Sequence, residues 1–251
     1  MRWGIFLSVA GIVASMVSAA PAQIRPFNYT FKNKYAEVDF SWSKEAAAVP
    51  ALVKRFRSDM AKARVDSIQC GKLETEIRRK TGSPVPSVIC SSSTKVTTSG
   101  QSSRLLSLSR KHWAFTGGAH GNGATSGLLW DRNLRKEISF GSLFLQRNGY
   151  SPALRAPYCR ALDKERKKRR WSGYQPGAVP EFDACPTFSN LALIPADANH
   201  NRRFDRVHVI AAPYTAGSFA EGEYDISLPV TPALIAALKP EYRSSFEAQR
   251  Q

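Results

Sequence analysis

Residues 117–123 of this chain hold four glycines, in the segment Trp113–Gly123, WAFTGGAHGNG. Glycine reaches φ > 0 without steric cost and lets neighbouring groups lie against bare backbone. The apolar, strand-like run Arg104–Phe115 leads directly into these glycines. The segment therefore either turns the chain sharply or offers naked backbone to another part of the molecule. His120 stands in its middle, carried by a stretch with almost no bulk of its own. The distant run Tyr214–Leu228 is expected to support it.

Around that loop the hydrophobic pattern favours strands. Ser91–Thr98, a pause at Ser99-Gly100 and then Arg104–Phe115 read as one hairpin. Leu128–Asp131, a turn at Arg132-Asn133 and Lys136–Phe140 read as another. Near the start, Phe27–Phe31 and Tyr35–Trp42 are strands; in the second, Val38, Phe40 and Trp42 alternate with Glu37, Asp39 and Ser41. A helix with Pro50 in its first turn places Leu52, Val53, Phe56, Met60 and Ala63 on one face. A short charged helix is expected over Lys72–Lys80. Another starts at Ser151-Pro152 and runs to about Trp171, with Pro157 kinking it or marking its true beginning. Phe188–Pro195, Phe204–Ile210 and Tyr224–Leu228 follow as strands, and Thr231-Pro232 opens a last helix ending at Leu238. Strands mixed with segregated helices, without βαβ regularity, predict an α+β fold. The expected form is antiparallel sheets with helices packed on one face, in two small subdomains, 23–95 and 96–251, the second carrying the glycine loop.

Residues 1–22 read as a cleaved secretory leader: Arg2, an apolar run from Trp3 to Val17, then small residues with the cut after Ala22. The apolar run is short for a membrane span, and no later stretch is long and apolar enough. A periplasmic or secreted location follows. There, four cysteines imply two disulfides; nearest-neighbour pairing gives Cys70–Cys90 and Cys159–Cys185, although the count alone permits three connectivities. The spacings do not suit zinc, and neither metal nor cofactor is expected. The formal charge is +16, one less once Arg2 leaves with the leader. Export turns that charge away from nucleic acid and toward anionic envelope polymers. Six of the seven residues Lys164–Arg170 are cationic, either as a solvated helix end or as an anchor for such polymers.

His120 is the candidate for any active role, but catalysis needs a partner that the sequence does not supply. Asp131, Thr116 and Ser126 flank the loop without a nucleophile pattern. The competing reading is structural: the imidazole bonds nearby backbone and pins a tight turn. Asp197–Asn201 spaces oxygen ligands as a calcium loop does, yet Arg202 and His208 stand where that loop needs glycine and glutamate, so a polar turn is expected. His112 and His208 lie in strand-like runs and read as framework residues.

The order of segments resembles the paired accessory domains of unknown function in PdaC-type peptidoglycan deacetylases and in the lysozyme-sensing anti-sigma factor RsiV. Tyr29–Ala63 is similar to the first domain. Phe115–Gly121 (FTGGAHG), Ile138–Phe144 (ISFGSLF) and Pro213–Gly222 (PYTAGSFAEG) look like landmarks of the second. The resemblance implies an α+β fold and an envelope location. It does not carry over deacetylase activity, because the metal motif of that catalytic domain is absent from this sequence, nor the anti-sigma segment.

These readings favour a non-catalytic binding module for peptidoglycan or another envelope glycan. Its expected contact surface is Thr116, Gly117, Gly118, His120, Gly121, Asn122, Tyr214 and Glu221, with Trp113, Tyr214 and Phe219 available to stack on sugar rings. The alternatives are an inhibitor or sensor of a lysozyme-type hydrolase, and a small hydrolase using His120.

Overall fold

The computed structural model describes residues 24–84, 87–170, 177 and 179–249. The leader expected at 1–22, and Trp171 at the expected helix end, lie outside the described residues.

Strands β1 (Phe27–Lys32) and β2 (Ala36–Trp42) form an antiparallel hairpin. On β2 the expected alternation holds, with Ala36, Val38, Phe40 and Trp42 buried. The short helix α1 (Lys44–Ala47) is capped by the Ser43 hydroxyl, and α2 (Pro50–Thr81) follows with its proline in the first turn. Helix α2 runs 32 residues without a break, where the sequence suggested two separate helices. Gly71, in its middle, is a contact point and not a breaker: a Cβ there would sit 2.0 Å from the Tyr35 carbonyl oxygen. The helix ends at Gly82, at φ 65°, with Arg78, Arg79 and Lys80 in the last turn, where cations suit the helix dipole.

The crossover through α2 brings β3 (Cys90–Gln101) alongside β2 in parallel. The expectation of purely antiparallel sheets fails here, because a long helix returns the chain to the end where β2 began. Strands β4 (Leu105–Phe115), β5 (Asn122–Asp131) and β6 (Lys136–Ile138) then extend a six-stranded sheet in sequence order. This sheet runs unbroken through residue 95, which lies inside β3.

Both faces of the sheet are covered, not one. Leu106, Leu108 and Leu128 join Phe40, Trp42, Val96, Leu52 and Phe56 in the core beneath α2. Leu105 and Leu129, on the opposite face, belong to a second core. That core holds the three-stranded antiparallel sheet of β7 (Ala192–Ala196), β8 (Arg206–Ala211) and β9 (Tyr224–Pro229). Its other layer is α3 (Ser151–Arg169), through Leu154, Tyr158 and Leu162, with Pro157 inside the helix. Short helices α4 (Pro180–Asp183), α5 (Pro232–Ala237) and α6 (Pro240–Arg243) complete the chain. Strand β7 lies close across the large sheet because glycines leave room for it. A Cβ on Gly100 would meet the Asp197 nitrogen at 2.7 Å, and one on Gly127 the Leu193 oxygen at 3.0 Å.

The disulfides pair as nearest neighbours, Cys70–Cys90 tying α2 to the first residue of β3 and Cys159–Cys185 tying α3 to the segment after α4. Each closes a loop whose entropy is worth about 3 kcal/mol. The fold is α+β, with two disulfide-bonded regions.

Candidate binding surface at the hairpin tip

Strands β4 and β5 pair from Leu105↔Asp131 to Ala114↔Asn122, so residues 115–121 form the tip of a long hairpin. The glycines do both things that bare backbone allows. Gly117 and Gly118 turn the chain at φ 98° and 87°. Gly117 and Gly121 also take close neighbours: the Glu74 carboxylate of α2 lies over the first, and the Trp113 indole covers the second, 2.1 Å from where a Cβ would stand.

The Gly121 carbonyl is 2.9 Å from His120 Nδ1. A carbonyl only accepts, so Nδ1 carries the proton and Nε2 of the neutral ring is left as an acceptor. The imidazole lies flat on Phe219, with ring centroids 3.8 Å apart and planes 17° apart. Phe219 in turn contacts Tyr214 at 5.9 Å. Tyr214 adopts φ 68°, held by its N–H donating to the Gly217 carbonyl at 3.0 Å. Tyr214 is 52% exposed and Trp113 41% exposed. His120, Phe219 and Tyr214 thus form a row, the first pair stacked and the second tilted by 30°, and Trp113 covers Gly121 of the same loop.

Several expected site residues serve as foundations beneath this row. Glu221 caps the turn at Phe219 by accepting from the Ser218 N–H at 2.8 Å. It also accepts from the Tyr224 hydroxyl at 2.5 Å and pairs with Arg170 at 3.0 Å. Burial opposes its charge, but the Tyr224 hydroxyl, the Ser218 N–H and Arg170 outweigh burial and hold its carboxyl below the ordinary range. Burial, joined by the Glu221 charge, pushes the Tyr224 phenol up to about 12. Gly217 must stay bare, since a Cβ would stand 2.5 Å from a Glu221 oxygen. Glu223, which sequence reading missed, accepts from both the N–H and the hydroxyl of Thr125 at 3.0 Å and fastens this loop to β5. Thr116 is exposed at the loop's start, and Asn122 turns its side-chain oxygen to the Gly123 N–H at 2.9 Å.

The basic run is neither a fully solvated helix end nor a free anchor. Arg166, 3% exposed, donates to the carbonyls of Ala216, Asp183 and Ala184. Arg169 donates to the carbonyls of Glu221 and Glu223 and lies over the Tyr224 ring. Arg170 adds Asp183 and the Phe182 carbonyl to its bond with Glu221. Three guanidinium groups therefore clamp the loop that carries Tyr214 and Phe219. Lys164, Lys167 and Lys168 stay exposed.

Other candidates stand apart. Asp131 lies at the far end of β5, buried against Arg104 and the Tyr242 hydroxyl, each at 3.0 Å. Roughly 30 Å of strand separates it from His120. Ser126 donates to the Arg110 carbonyl at 3.5 Å. The Asp197 carboxylate accepts from the N–H groups of Asn201 and Arg202, which makes Asp197–Asn201 a polar turn. His112 bonds Thr94 at 3.0 Å and His208 bonds Asp225 at 2.7 Å. Among the described residues no group of three His, Cys, Asp or Glu side chains is placed to hold a metal, and no helix is long and apolar enough to cross a membrane.

No family model matches the chain, and no curated protein matches its sequence. Its architecture is found in solved structures. A DUF3298 family protein from Pseudomonas aeruginosa is similar over 90% of this chain and 98% of its own, at 14% identity and a TM-score of 0.50. A member of the same family from Bacteroides fragilis is similar over 88% and 96%, at 15% identity and a TM-score of 0.53. The fold is of the DUF3298 type. At such identities the likeness reaches the fold and not the site. In this DUF3298-type scaffold the aromatic row and its arginine clamp are read from this chain's own residues.

Proposed function

We propose that this chain is an exported, non-catalytic binding module for a glycan of the bacterial cell envelope, peptidoglycan above all. The observation that carries this reading is the row Tyr214, Phe219 and His120, with the exposed Trp113 near the same tip of a long hairpin. Clustered aromatic rings open to solvent mark contact surfaces, and their faces suit the apolar faces of sugars. Two disulfides fit an oxidising compartment, and the excess of cations fits acidic envelope polymers. The resemblance of the segment order to that of the accessory domains of PdaC-type deacetylases and RsiV points the same way. Among the described residues His120 has no carboxylate paired with it, and its ring face is seated on Phe219, so its surroundings support contact better than general-base chemistry.

The test is retention on purified cell-wall sacculi at low and moderate salt. Wild type is expected to bind, and Tyr214→Ala and His120→Ala to bind several-fold more weakly. Absence of wild-type retention at either salt, or variants that bind as well as wild type, overturns the aromatic surface. Adding the protein to a lysozyme lysis assay addresses the inhibitor alternative, which like charge disfavours for a basic enzyme.

A further inference from the structure

Helix α2 covers one face of the six-stranded sheet, and β7 crosses the other at the end marked by Gly100 and Gly127. The rest of that second face is open: Thr30, Asp39, Lys95, Thr97, Lys111 and Trp113 all stand exposed on it. Three successive rungs of the β3–β4 pairing point outward there, Thr97↔Ser109, Lys95↔Lys111 and Ser93↔Trp113. Directly opposed Cβ atoms lie about 5 Å apart, and successive rungs on one face about 7 Å apart.

The middle rung sets two like charges face to face, an arrangement that costs stability. Neither ammonium group has an ion-pair or hydrogen-bond partner among the described residues. The neighbouring acids are engaged elsewhere. Asp39 accepts from the Thr30 hydroxyl at 2.8 Å, and Glu37 pairs with Lys32 at 3.2 Å. Glu223 accepts from Thr125, the residue opposite Lys111 on β5. Lys95 and Thr97 also line a cleft of about 550 Å³ whose rim includes Asp197, and that carboxylate is taken by the N–H groups of Asn201 and Arg202. The hydroxyls of Ser93, Thr97 and Ser109, on the rungs to either side, bond nothing among the described residues. One rung from the lysines, the Trp113 indole covers Gly121 and stays 41% exposed.

We propose that this open sheet face binds a glycan whose sugar rings carry carboxylates, with a carboxylate between Lys95 and Lys111 and a ring on Trp113. An anion between the two ammonium groups turns their repulsion into attraction, and free hydroxyls on both sides suit the hydroxyls of sugars. One rung, about 7 Å, suits a carboxylate borne by the ring itself, because the flexible lysine stems take up the remaining distance. A polyol phosphate would satisfy the lysines and leave Trp113 without a ring. The inference rests on the envelope-glycan reading for the class of partner; the lysine rung is a contact separate from the row at the hairpin tip.

The test is titration of the isotope-labelled, folded protein with tetragalacturonate, with neutral chitotetraose and with inorganic tripolyphosphate. The expected result is saturable shifts at the Lys95, Lys111 and Trp113 amides with tetragalacturonate, weakening as salt is raised. Lys95→Ser and Lys111→Ser should each weaken that binding about fivefold or more, and chitotetraose should bind this face at least about tenfold more weakly. Each lysine substitution removes a like-charge contact, so it should keep or raise the thermal midpoint, which separates lost binding from lost folding. Tripolyphosphate separates charge from ring: its binding should fall in the lysine variants and not in Trp113→Ala, whereas that of tetragalacturonate should fall in all three. Absence of those shifts at millimolar tetragalacturonate overturns the proposal. So do equal binding of chitotetraose, unchanged affinity in the lysine variants, or uronate binding that Trp113→Ala does not weaken. Sacculus retention that persists without these shifts removes the sheet face alone and leaves the aromatic tip standing.

Discussion

The Nε of Arg170 donates to a carboxylate oxygen of Glu221 at 3.0 Å, with both side chains 10% exposed. This bond joins the end of α3 to the base of the loop that presents Tyr214 and Phe219. With Arg166 and Arg169 it shows that the three arginines of the basic run are bonded to other parts of the molecule, while its lysines stay exposed. Losing one partner of such a pair strands the other charge, at a cost of about 3 kcal/mol. Arg170→Ala should therefore lower the urea midpoint strongly, while Lys167→Ala, on the exposed side of the same helix, should stay within about 0.5 kcal/mol of wild type. Equal effects of the two substitutions would remove the clamp from the account.

The stability of the fold should be sensitive to acid. Glu221 and Asp131 are both held below their ordinary values of 4.5 and 3.8. At Asp131 burial opposes the charge, and the Leu134 N–H, Arg104 and Tyr242 outweigh it. A folded pKa below the unfolded one means that the ionised form is favoured by folding. Its stabilisation is complete above the unfolded value and disappears as pH falls through the folded value. Urea midpoints should thus be flat near neutrality and drop as pH falls below those ordinary values. Asp131→Asn should start lower and lose less on acidification. A midpoint that rises toward acid contradicts the sign.

How much of this the sequence revealed depended on whether the signal was local. The hairpins β3–β4 and β5–β6 and both disulfides were readable, because alternation and cysteine spacing act over short stretches; the pairing of β4 with β5 was not, since the small and polar residues Asn122–Gly127 carry no alternation. The full length of α2 was not. Beyond Ala63 the helix meets the sheet through small or polar residues, Ser67, Cys70 and Gly71, while Val65, Leu73 and Ile77 face solvent, so the apolar face that announces a helix fades. The parallel pairing of β2 with β3 was also hidden, since alternation tells which face is buried and not which way a neighbour runs. At the site, the glycine loop was visible from its composition. The seat of His120 on Phe219 joins residues far apart in the chain, and the arginine clamp depends on carbonyls whose positions only the fold sets.

Gly121 and Gly118 separate the two uses of glycine in the loop. A Cβ at Gly121 would fall 2.1 Å from the Trp113 ring, whereas at Gly118 nothing lies within 4 Å and only φ 87° is at issue. Gly121→Ala must displace the indole and disturb the carbonyl that holds His120, an overpacking cost of about 1–3 kcal/mol. Its tryptophan emission should shift to the red as the ring enters water. Gly118→Ala should cost about 1–2 kcal/mol of backbone strain and leave the emission in place. An unshifted spectrum for Gly121→Ala means that Trp113 is not seated on the loop.

Removing the two disulfides should cost similar amounts of stability and yet affect the aromatic surface differently. Each is worth about 3 kcal/mol by loop closure. Cys70–Cys90 fixes α2 against β3, whereas Cys159–Cys185 holds the segment whose Asp183 and Ala184 carbonyls receive Arg166. Arg166 also donates to the Ala216 carbonyl, inside the loop between Tyr214 and Phe219. Cys159→Ala with Cys185→Ala should therefore loosen that loop. Amide hydrogen exchange should quicken at Tyr214, whose N–H bonds Gly217, and sacculus retention should fall under conditions where the protein remains folded. Cys70→Ala with Cys90→Ala should lower the midpoint comparably and leave exchange at Tyr214 unchanged. Identical exchange at Tyr214 in the two double variants would show that the second disulfide does not reach the site through Arg166.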